Sequence, residues 1–379
     1  MGTKESVLAM LLEAGGSMTG EAMAKRLGIS RMAVFKGVEG LRADGYEIAA
    51  RTRGGYTLLG ADMVLDASAI QKGLRQPHEV LILDQVDSTN TYLRTQVSLY
   101  DGDRAADDKS PCGAKRAKHA ESSTRWTGGP SDGTPANQTG GRGPDGTPDG
   151  QPSGQPNGKS AGLIVAARKQ TGGRGRRGKH FYSPPGSGVY FSFLLRQPLP
   201  MEHMWAVTFM AAIATARTLR AAGADARIKW VNDVYIPPRK ICGILTEVAL
   251  DAEARTSSSI VVGIGVNLKE TERPEELKDK IISLEQAGAS LTPNEAITQI
   301  VNHFDEMLDR FDLTEIVREY KSLCFILGRG ITFERDGVTH AGTALDILPD
   351  GNLLVATPQG NTVLSSGEVS ILPDREPEK

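Results

Sequence analysis

The sequence predicts a multi-domain α/β protein with an N-terminal winged helix-turn-helix, a central mixed α/β unit and a small C-terminal β module. Three observations predict it. The first ~60 residues hold three segments of helical period followed by a hairpin signature. Between Leu163 and Phe311, apolar strand-like runs alternate with helical patterns, and beyond Gly328 short alternating runs are separated by turn pairs. At 379 residues the chain also exceeds what one ordinary core accommodates.

In the N-terminal segment Val7, Leu8, Leu11 and Leu12 fall on one helical face, and Gly15-Gly16 stops that helix. Thr19 can cap a second helix running to Gly28, and Ser30 a third, in which Val34, Val38 and Leu41 recur at helical spacing. Two helices this close, joined through a glycine, predict a helix-turn-helix. Tyr46 to Arg51 and Tyr56 to Leu59 flank Arg53-Gly54-Gly55, the composition of a basic-tipped wing. Arg31, Lys36, Arg42, Arg51 and Arg53 are the candidate DNA contacts. With eight Lys or Arg against six Asp or Glu in residues 1–60, the charge balance supports this only weakly, and the pattern carries it.

An apolar strand from Val80 to Val86 leads into Asp87-Ser88-Thr89-Asn90 and a short helix through Tyr92 and Leu93. Between Tyr100 and Leu163 the sequence has no Val, Ile, Leu, Met, Phe or Tyr. Such a segment cannot bury enough apolar surface to offset its ordering entropy, so ~101–160 is expected to be a disordered insertion. Strands are then expected from Leu163 to Gln170, Val189 to Arg196, Ala226 to Trp230, Ile241 to Val248 and Ile260 to Val266, with a helix from Glu202 to Ala222. Thr292-Pro293-Asn294-Glu295 is a capping box opening a helix to about Phe311. Asp336-Gly337, Pro349-Asp350-Gly351 and Gln359-Gly360-Asn361 then punctuate a module of the size of an SH3-like barrel. The expected domains are 1–62, 63–325 and 326–379.

A formal charge of -2 announces no global nucleic-acid or membrane partner, so any basic site must be local. Cys112, Cys242 and Cys324 are odd in number and lack metal-ligand spacing, which argues against a disulfide framework or a zinc site. No signal peptide and no apolar run of membrane-spanning length are evident, so a soluble, cytoplasmic protein is expected, and no metal site is assigned.

Gly173-Arg174-Gly175-Arg176-Arg177-Gly178-Lys179 matches two phosphate-binding patterns and satisfies neither. As GxGxxG it lacks the following helix and the acidic residue, since no Asp or Glu lies between Leu163 and Pro200. As GxxxxGK it has His180 where a hydroxyl should hold magnesium. What remains is a flexible basic loop whose backbone N–H groups and guanidinium groups suit an anion, polyphosphate foremost.

The company of this loop is informative: DSTN at 87–90, KQTGGRGRRG at 169–178, KWVND at 229–233 and RKICGIL at 239–245. In this order the chain resembles the biotin protein ligases, specifically the bifunctional class that also represses the biotin operon. The resemblance spans everything except the insertion, and it implies a class II synthetase-like central domain. It also implies roles, position by position. Ser88, Thr89, Asn90 and Gln170 would bind the ureido head of biotin, and Arg174, Gly175, Arg176 and Lys240 its carboxyl end. Gly173, Arg174, Arg176, Arg177, Lys229, Asn232 and Asn267 would face ATP and the adenylate, the loop ordering only when ligand is bound. Lys240, Lys229, Asp233 and Arg176 would form the catalytic set. Asn267 is equally well a turn-stabilising residue.

The resemblance further implies biotin as substrate, ATP with substrate-bound Mg2+, a biotin carboxyl carrier protein and operator DNA as partners, and a homodimer once the adenylate is bound. Phe181 stands where a tryptophan is common in the family, and Val231 replaces the proline of KWPND. Two alternatives stay open: a lipoate protein ligase, and a DNA-binding regulator that only senses its ligand.

Overall fold

The computed structural model describes residues 2–51, 54–96, 162–197, 199–251, 256–335 and 337–372. The insertion expected at 101–160 and the wing residue Arg53 lie outside them. The N-terminal helices are α1 (Thr3–Ala14), α2 (Gly20–Leu27) and α3 (Arg31–Ala43), followed by β1 (Glu47–Arg51) and β2 (Gly55–Gly60). The caps read from the sequence are in place: Thr19 accepts from the Ala22 amide and Ser30 from the Ala33 amide. Gly15 and Gly28 take the left-handed conformation that ends α1 and α2, where a Cβ would be strained. Val7, Met10, Leu11, Met23, Val34, Val38, Leu41 and Ile48 form a core of their own. Leu12, expected on the buried face, is instead 62% exposed, and Met10 takes its place, because the buried stripe of α1 runs through 7, 10 and 11.

The central unit is built on a seven-stranded sheet in the order β3-β4-β5-β9-β8-β7-β6, comprising β3 (His78–Leu83), β4 (Gly162–Ala167), β5 (Gly188–Leu195), β6 (Arg227–Lys229), β7 (Asp233–Ile236), β8 (Arg239–Asp251) and β9 (Thr256–Asn267). Strands β3 and β4 are parallel, and the remaining pairs are antiparallel. A helix over 89–96, α5, follows β3. It comes after α4 (Ala67–Gly73), and α6 (Met204–Ala221), α7 (Pro293–Arg310) and α8 (Leu313–Leu323) complete the set. Helix α6 is apolar nearly all round, which is the composition of a helix covered on every side. It packs on α7, α8 and strands β6 to β9, with Phe209 stacked on Tyr320 at 3.6 Å between ring centroids. At roughly 1.5–3 kcal/mol per fully buried large apolar side chain, this layer dominates the stability of the unit.

Period-two alternation gives the sheet two distinct faces. Phe191, Phe193, Val262, Ile264 and Val266 point into the core under α6 and α7. Val165, Leu194 and Val261 point the other way, where Leu93 of α5 covers them. Ser192, Gly263 and Gly265 share that second face by register, and the cleft forms beside them.

The expected strands are present with different lengths. The strand expected through Gln170 ends at Ala167, and the two expected at 241–248 and 260–266 extend into a long hairpin. Helix α4 and strand β7 are too short to carry a regular period, while α8, whose Ile316, Val317 and Tyr320 recur at helical spacing behind the Asp312 cap, was legible and was not read. Past the central unit, β10 (Gly330–Arg335), β11 (Val338–Ile347), β12 (Leu353–Thr357), β13 (Gly360–Leu364) and β14 (Val369–Ile371) form an antiparallel sheet in the order β13-β12-β11-β10-β14. Trp230 donates its indole N–H to the Gly351 carbonyl at 3.1 Å, tying this module to the KWVND segment.

Candidate active site

The cleft is floored by two rows of residues that cross β5, β9 and β8 in register. Tyr190, Gly265 and Gly243 form one row, and Ser192, Gly263 and Leu245 the other. The Phe181 ring lies over the first: a Cβ on Gly265 would stand 2.4 Å from it, and one on Gly243 3.0 Å. Asn90 lies over the second, where a Cβ on Gly263 would fall 2.0 Å from its Oδ1. Only glycine admits these two side chains so close to the sheet.

At one end, DSTN starts α5. Ser88 accepts weakly from the Thr91 amide at 3.5 Å, an N-cap contact, and its backbone N–H donates to Asp87 at 2.7 Å. Gln170 Oε1 accepts from the Thr89 amide at 2.9 Å and from its hydroxyl at 3.3 Å, while Gln170 Nε2 donates to Ser183 at 3.1 Å. Ser192 donates to Asn90 Oδ1 at 2.5 Å, and its hydroxyl oxygen lies 2.6 Å from Thr89 Oγ1. Asn90 Nδ2 in turn donates to the Leu245 carbonyl at 3.1 Å and to Glu247 at 3.0 Å. Asn90, expected to bind ligand, also anchors the segment that presents Ser88 and Thr89 through these bonds. Ser88, Thr89 and Gln170 line the cleft with it.

At the other end stand the cations. The 173–181 segment is folded into a turn: the Gly175 amide donates to the Lys179 carbonyl at 2.7 Å, and Phe181 N–H to the Gly173 carbonyl at 2.8 Å. Arg177 has φ 55, inside the turn. Lys179 pairs with Glu368 of the C-terminal module, and that contact holds the Glu368 carboxyl below the usual carboxylate range. Arg176 donates to Asn232 Oδ1 at 3.2 Å, and burial lowers its pKa. Burial likewise pushes the Lys229 ammonium below the ordinary lysine range, with Asp233 opposing, and the ammonium sits 5.3 Å from the centre of the Tyr235 ring. Lys240 Nζ is 2.8 Å from Asp233 Oδ1 across the β7–β8 pair. Asn232 is fixed by its own donation to the Ile244 carbonyl at 2.6 Å.

Arg174, Gly175, Arg176, Arg177, Lys229, Asn232, Asp233 and Lys240 all face this cleft. Six basic side chains against the two carboxylates of Asp233 and Glu368 give it a field suited to a polyanion. Two expected residues are placed elsewhere. Gly173 is a backbone position beneath the turn, where a Cβ would meet the Phe181 carbonyl at 2.4 Å. Asn267 ends β9, where its backbone carbonyl accepts from the Leu284 amide at 3.0 Å, and it does not line the cleft. Sequence reasoning missed Glu368, Glu247 and Ser192. Glu368 comes from another module, while Glu247 and Ser192 are ordinary strand positions whose face only the register reveals.

Of the candidate DNA contacts, Arg31, Lys36 and Arg51 are exposed. Arg42 is not available: its guanidinium donates to the Ile48 carbonyl at 3.0 and 2.6 Å and to Glu39 at 2.7 Å, bracing α3 against β1. Cys242 and Cys324 are buried, and burial pushes the Cys324 thiol up to about 12, so both are structural. Among the described residues no helix is long and apolar enough to cross a membrane.

Residues 155–267 match the model of the Biotin/lipoate A/B protein ligase family, residues 3–57 an HTH domain and residues 326–372 the Biotin protein ligase C terminal domain. The bifunctional ligase/repressor BirA of Bacillus subtilis is 28% identical over 97% of this chain and 98% of its own length. That of Escherichia coli is 27% identical over 80% of this chain and 76% of its own length. A solved mutant of the biotin protein ligase of Aquifex aeolicus, in complex with biotin, covers 77% of this chain and 97% of its own at 22% identity and a TM-score of 0.52, a likeness of fold. Matched module by module in this order, and aligned over nearly its whole length with bifunctional ligase/repressors, the chain is similar throughout to the bifunctional biotin protein ligases.

Proposed function

We propose that the chain joins biotin to ATP as biotinyl-5'-AMP, transfers the biotinyl group to a lysine of a biotin carboxyl carrier protein, and represses the biotin operon in response. The observation that carries the ligase reading is the cleft itself, with the neutral hydrogen-bonding set Ser88, Thr89 and Gln170 at one end and Arg176, Lys229 and Lys240 at the other. A bicyclic urea needs matched donors and acceptors, and a carboxylate meeting a triphosphate needs fixed cations.

In the first step a biotin carboxylate oxygen attacks the α-phosphorus of ATP, and the bond to pyrophosphate breaks. Lys240 exchanges Asp233 for the reacting carboxylate and α-phosphate oxygens, while Lys229 and Arg176 take the charge that develops on the phosphates. Desolvation makes both cations stronger partners for an anion than they would be in water. Arg174, Gly175 and Arg177 cover the joint between the two substrates. In the second step the carrier lysine amine attacks the mixed-anhydride carbonyl and AMP leaves. Asp233, released from Lys240, is placed to accept the proton of that amine. Mg2+ would accompany ATP and supply further charge neutralisation at its phosphates, beside Asp233.

The same reading takes 1–62, 63–325 and 326–379 as the domains, with a class II synthetase-like centre and an SH3-like C-terminal barrel. The separate core of the winged helix and the five antiparallel strands of the last module support it. Operator DNA, a homodimer formed on adenylate binding and a cytoplasmic location complete it. Pyrophosphate exchange into ATP with biotin or with lipoate tests the first step. Exchange with biotin alone is the expected result. Exchange with lipoate alone, or with neither, removes the reading.

A further inference from the structure

Helix α3 turns two large apolar side chains to solvent. Met32 is 62% and Phe35 47% exposed, although the same helix has Val34, Val38 and Leu41 fully packed on its inner face. Single exposed apolar residues need no explanation, but these two stand three positions apart on one outward stripe. Arg31 and Lys36 flank them on that stripe, and among the described residues neither is ion-paired. The next outward residue, Glu39, has its charge taken up by Arg42 at 2.7 Å. The face is therefore an apolar pair framed by two uncompensated cations, in the first two turns behind the Ser30 cap of the second helix of a helix-turn-helix.

We propose that Met32 and Phe35 read the C5-methyl groups of thymines in the major groove of duplex DNA, while Arg31 and Lys36 hold the phosphates on either side. This rests on the winged-helix reading and goes further, assigning sequence discrimination to apolar rather than hydrogen-bonding side chains. The major groove presents both partners this face requires: anionic rails set apart by a groove that admits a helix, and the thymine methyl, its one apolar base-edge group. The N-terminal turns of the second helix are the part that reaches base edges in this motif. A second copy of the chain laid on the same patch would bring Arg31 and Lys36 against like charges or into water, and would leave them unused.

The test uses the full chain with biotin and ATP, and duplexes enriched by it from a randomised library. Each thymine of an enriched duplex is replaced by uracil, which keeps every hydrogen bond and removes only the methyl. Wild-type affinity should fall by a factor of about 4 at each contacted position, the equivalent of one methyl at ~0.8 kcal/mol. Phe35→Ala and Met32→Ala should abolish that difference at their own positions with unchanged thermal unfolding, since both side chains are exposed. Arg31→Ala should instead weaken binding uniformly and lower the salt slope by about 1. Salt-dependent DNA binding with no uracil effect overturns the proposal and leaves the winged-helix reading standing. Absence of DNA binding at every salt concentration removes that reading as well. A Phe35→Ala variant that changes oligomeric state and not the uracil effect identifies the patch as a self-association surface and overturns the proposal.

Discussion

Asn90 lies directly over Gly263, so close that a Cβ on residue 263 would stand 2.0 Å from its amide oxygen. The close approach lets Asn90 reach Ser192, Leu245 and Glu247 at once. Gly263→Ala is expected to push Asn90 off this row and, through it, to displace Ser88 and Thr89. Each buried polar group left unpaired costs about 1–3 kcal/mol, so the urea midpoint should fall. Biotin KM in pyrophosphate exchange should rise by about 10-fold or more, with a smaller change at saturating biotin. An unchanged KM would show that Asn90 does not shape the biotin end.

This glycine was visible in the sequence and its meaning was not. Gly263-Ile264-Gly265 reads locally as a weak spot in a strand, and nothing local says that Asn90 and Phe181 descend onto it from segments some 80 to 170 positions away. The N-terminal module was legible almost to the residue because its signals are local: Thr19 and Ser30 at helix starts, Gly15 and Gly28 at helix ends. The charged end of the cleft was legible because its residues cluster in motifs. Glu247 and Glu368 were not, since a lone acid on a strand and one at a module's edge acquire meaning only through the lysine, arginine or amide that meets them. Arg42 illustrates the opposite error. Its position on α3 suggested DNA, but an arginine long enough to reach a phosphate also reaches the Ile48 carbonyl beside it.

Lys240 Nζ stands 2.8 Å from Asp233 Oδ1, a contact that holds the ammonium in position at the charged end of the cleft. Lys240→Gln is expected to slow adenylation by about 100-fold or more, the scale for loss of a fixed donor at a centre where charge develops. Biotin affinity by calorimetry should change far less. Asp233→Asn should spare pyrophosphate exchange relative to Lys240→Gln and depress transfer to the carrier more. Equal losses in binding and rate for Lys240→Gln remove it from the catalytic set.

His303 on α7 contributes an acid sensitivity unrelated to the cleft. Burial lowers its pKa from the ordinary 6.5, with Arg217 acting in the same direction, and among the described residues its buried Nδ1 has no hydrogen-bond partner. A depressed imidazole means that the unfolded chain binds the proton more readily. Its share of stability is therefore complete above 6.5 and is lost as pH falls through that value toward the folded one. Urea midpoints measured across this range should fall less steeply for His303→Gln than for the wild type. Parallel curves would assign the acid sensitivity to other groups.

Arg168 joins the winged helix to the neutral, hydrogen-bonding end of the cleft. Its backbone N–H donates to the Leu83 carbonyl at 3.0 Å, which fixes it where β3 and β4 end. Its guanidinium donates to the Asp44 carbonyl at 3.1 Å and lies 3.4 Å from the Asp44 carboxylate and 3.2 Å from Asp84. Asp44 caps the C-terminus of α3, and two residues beyond Arg168 is Gln170, which holds Thr89. One short stretch of backbone therefore connects the Gln170–Thr89 network with the C-terminal end of α3. A ligand that tightens Gln170 and Thr89 would limit how Arg168 can move, and with it the seat of α3. Arg168→Ala is expected to cost only about 1–2 kcal/mol, because Asp44 keeps Lys4 at 2.7 Å and no buried charge is left alone. Pyrophosphate exchange should stay within about twofold, whereas the ratio of DNA affinities with and without biotin plus ATP should shrink toward one, the loss of a coupling of ordinary size. Because linkage is reciprocal, saturating DNA should also cease to tighten adenylate binding in the variant. If that ratio survives intact in a folded Arg168→Ala protein, the coupling runs by another route.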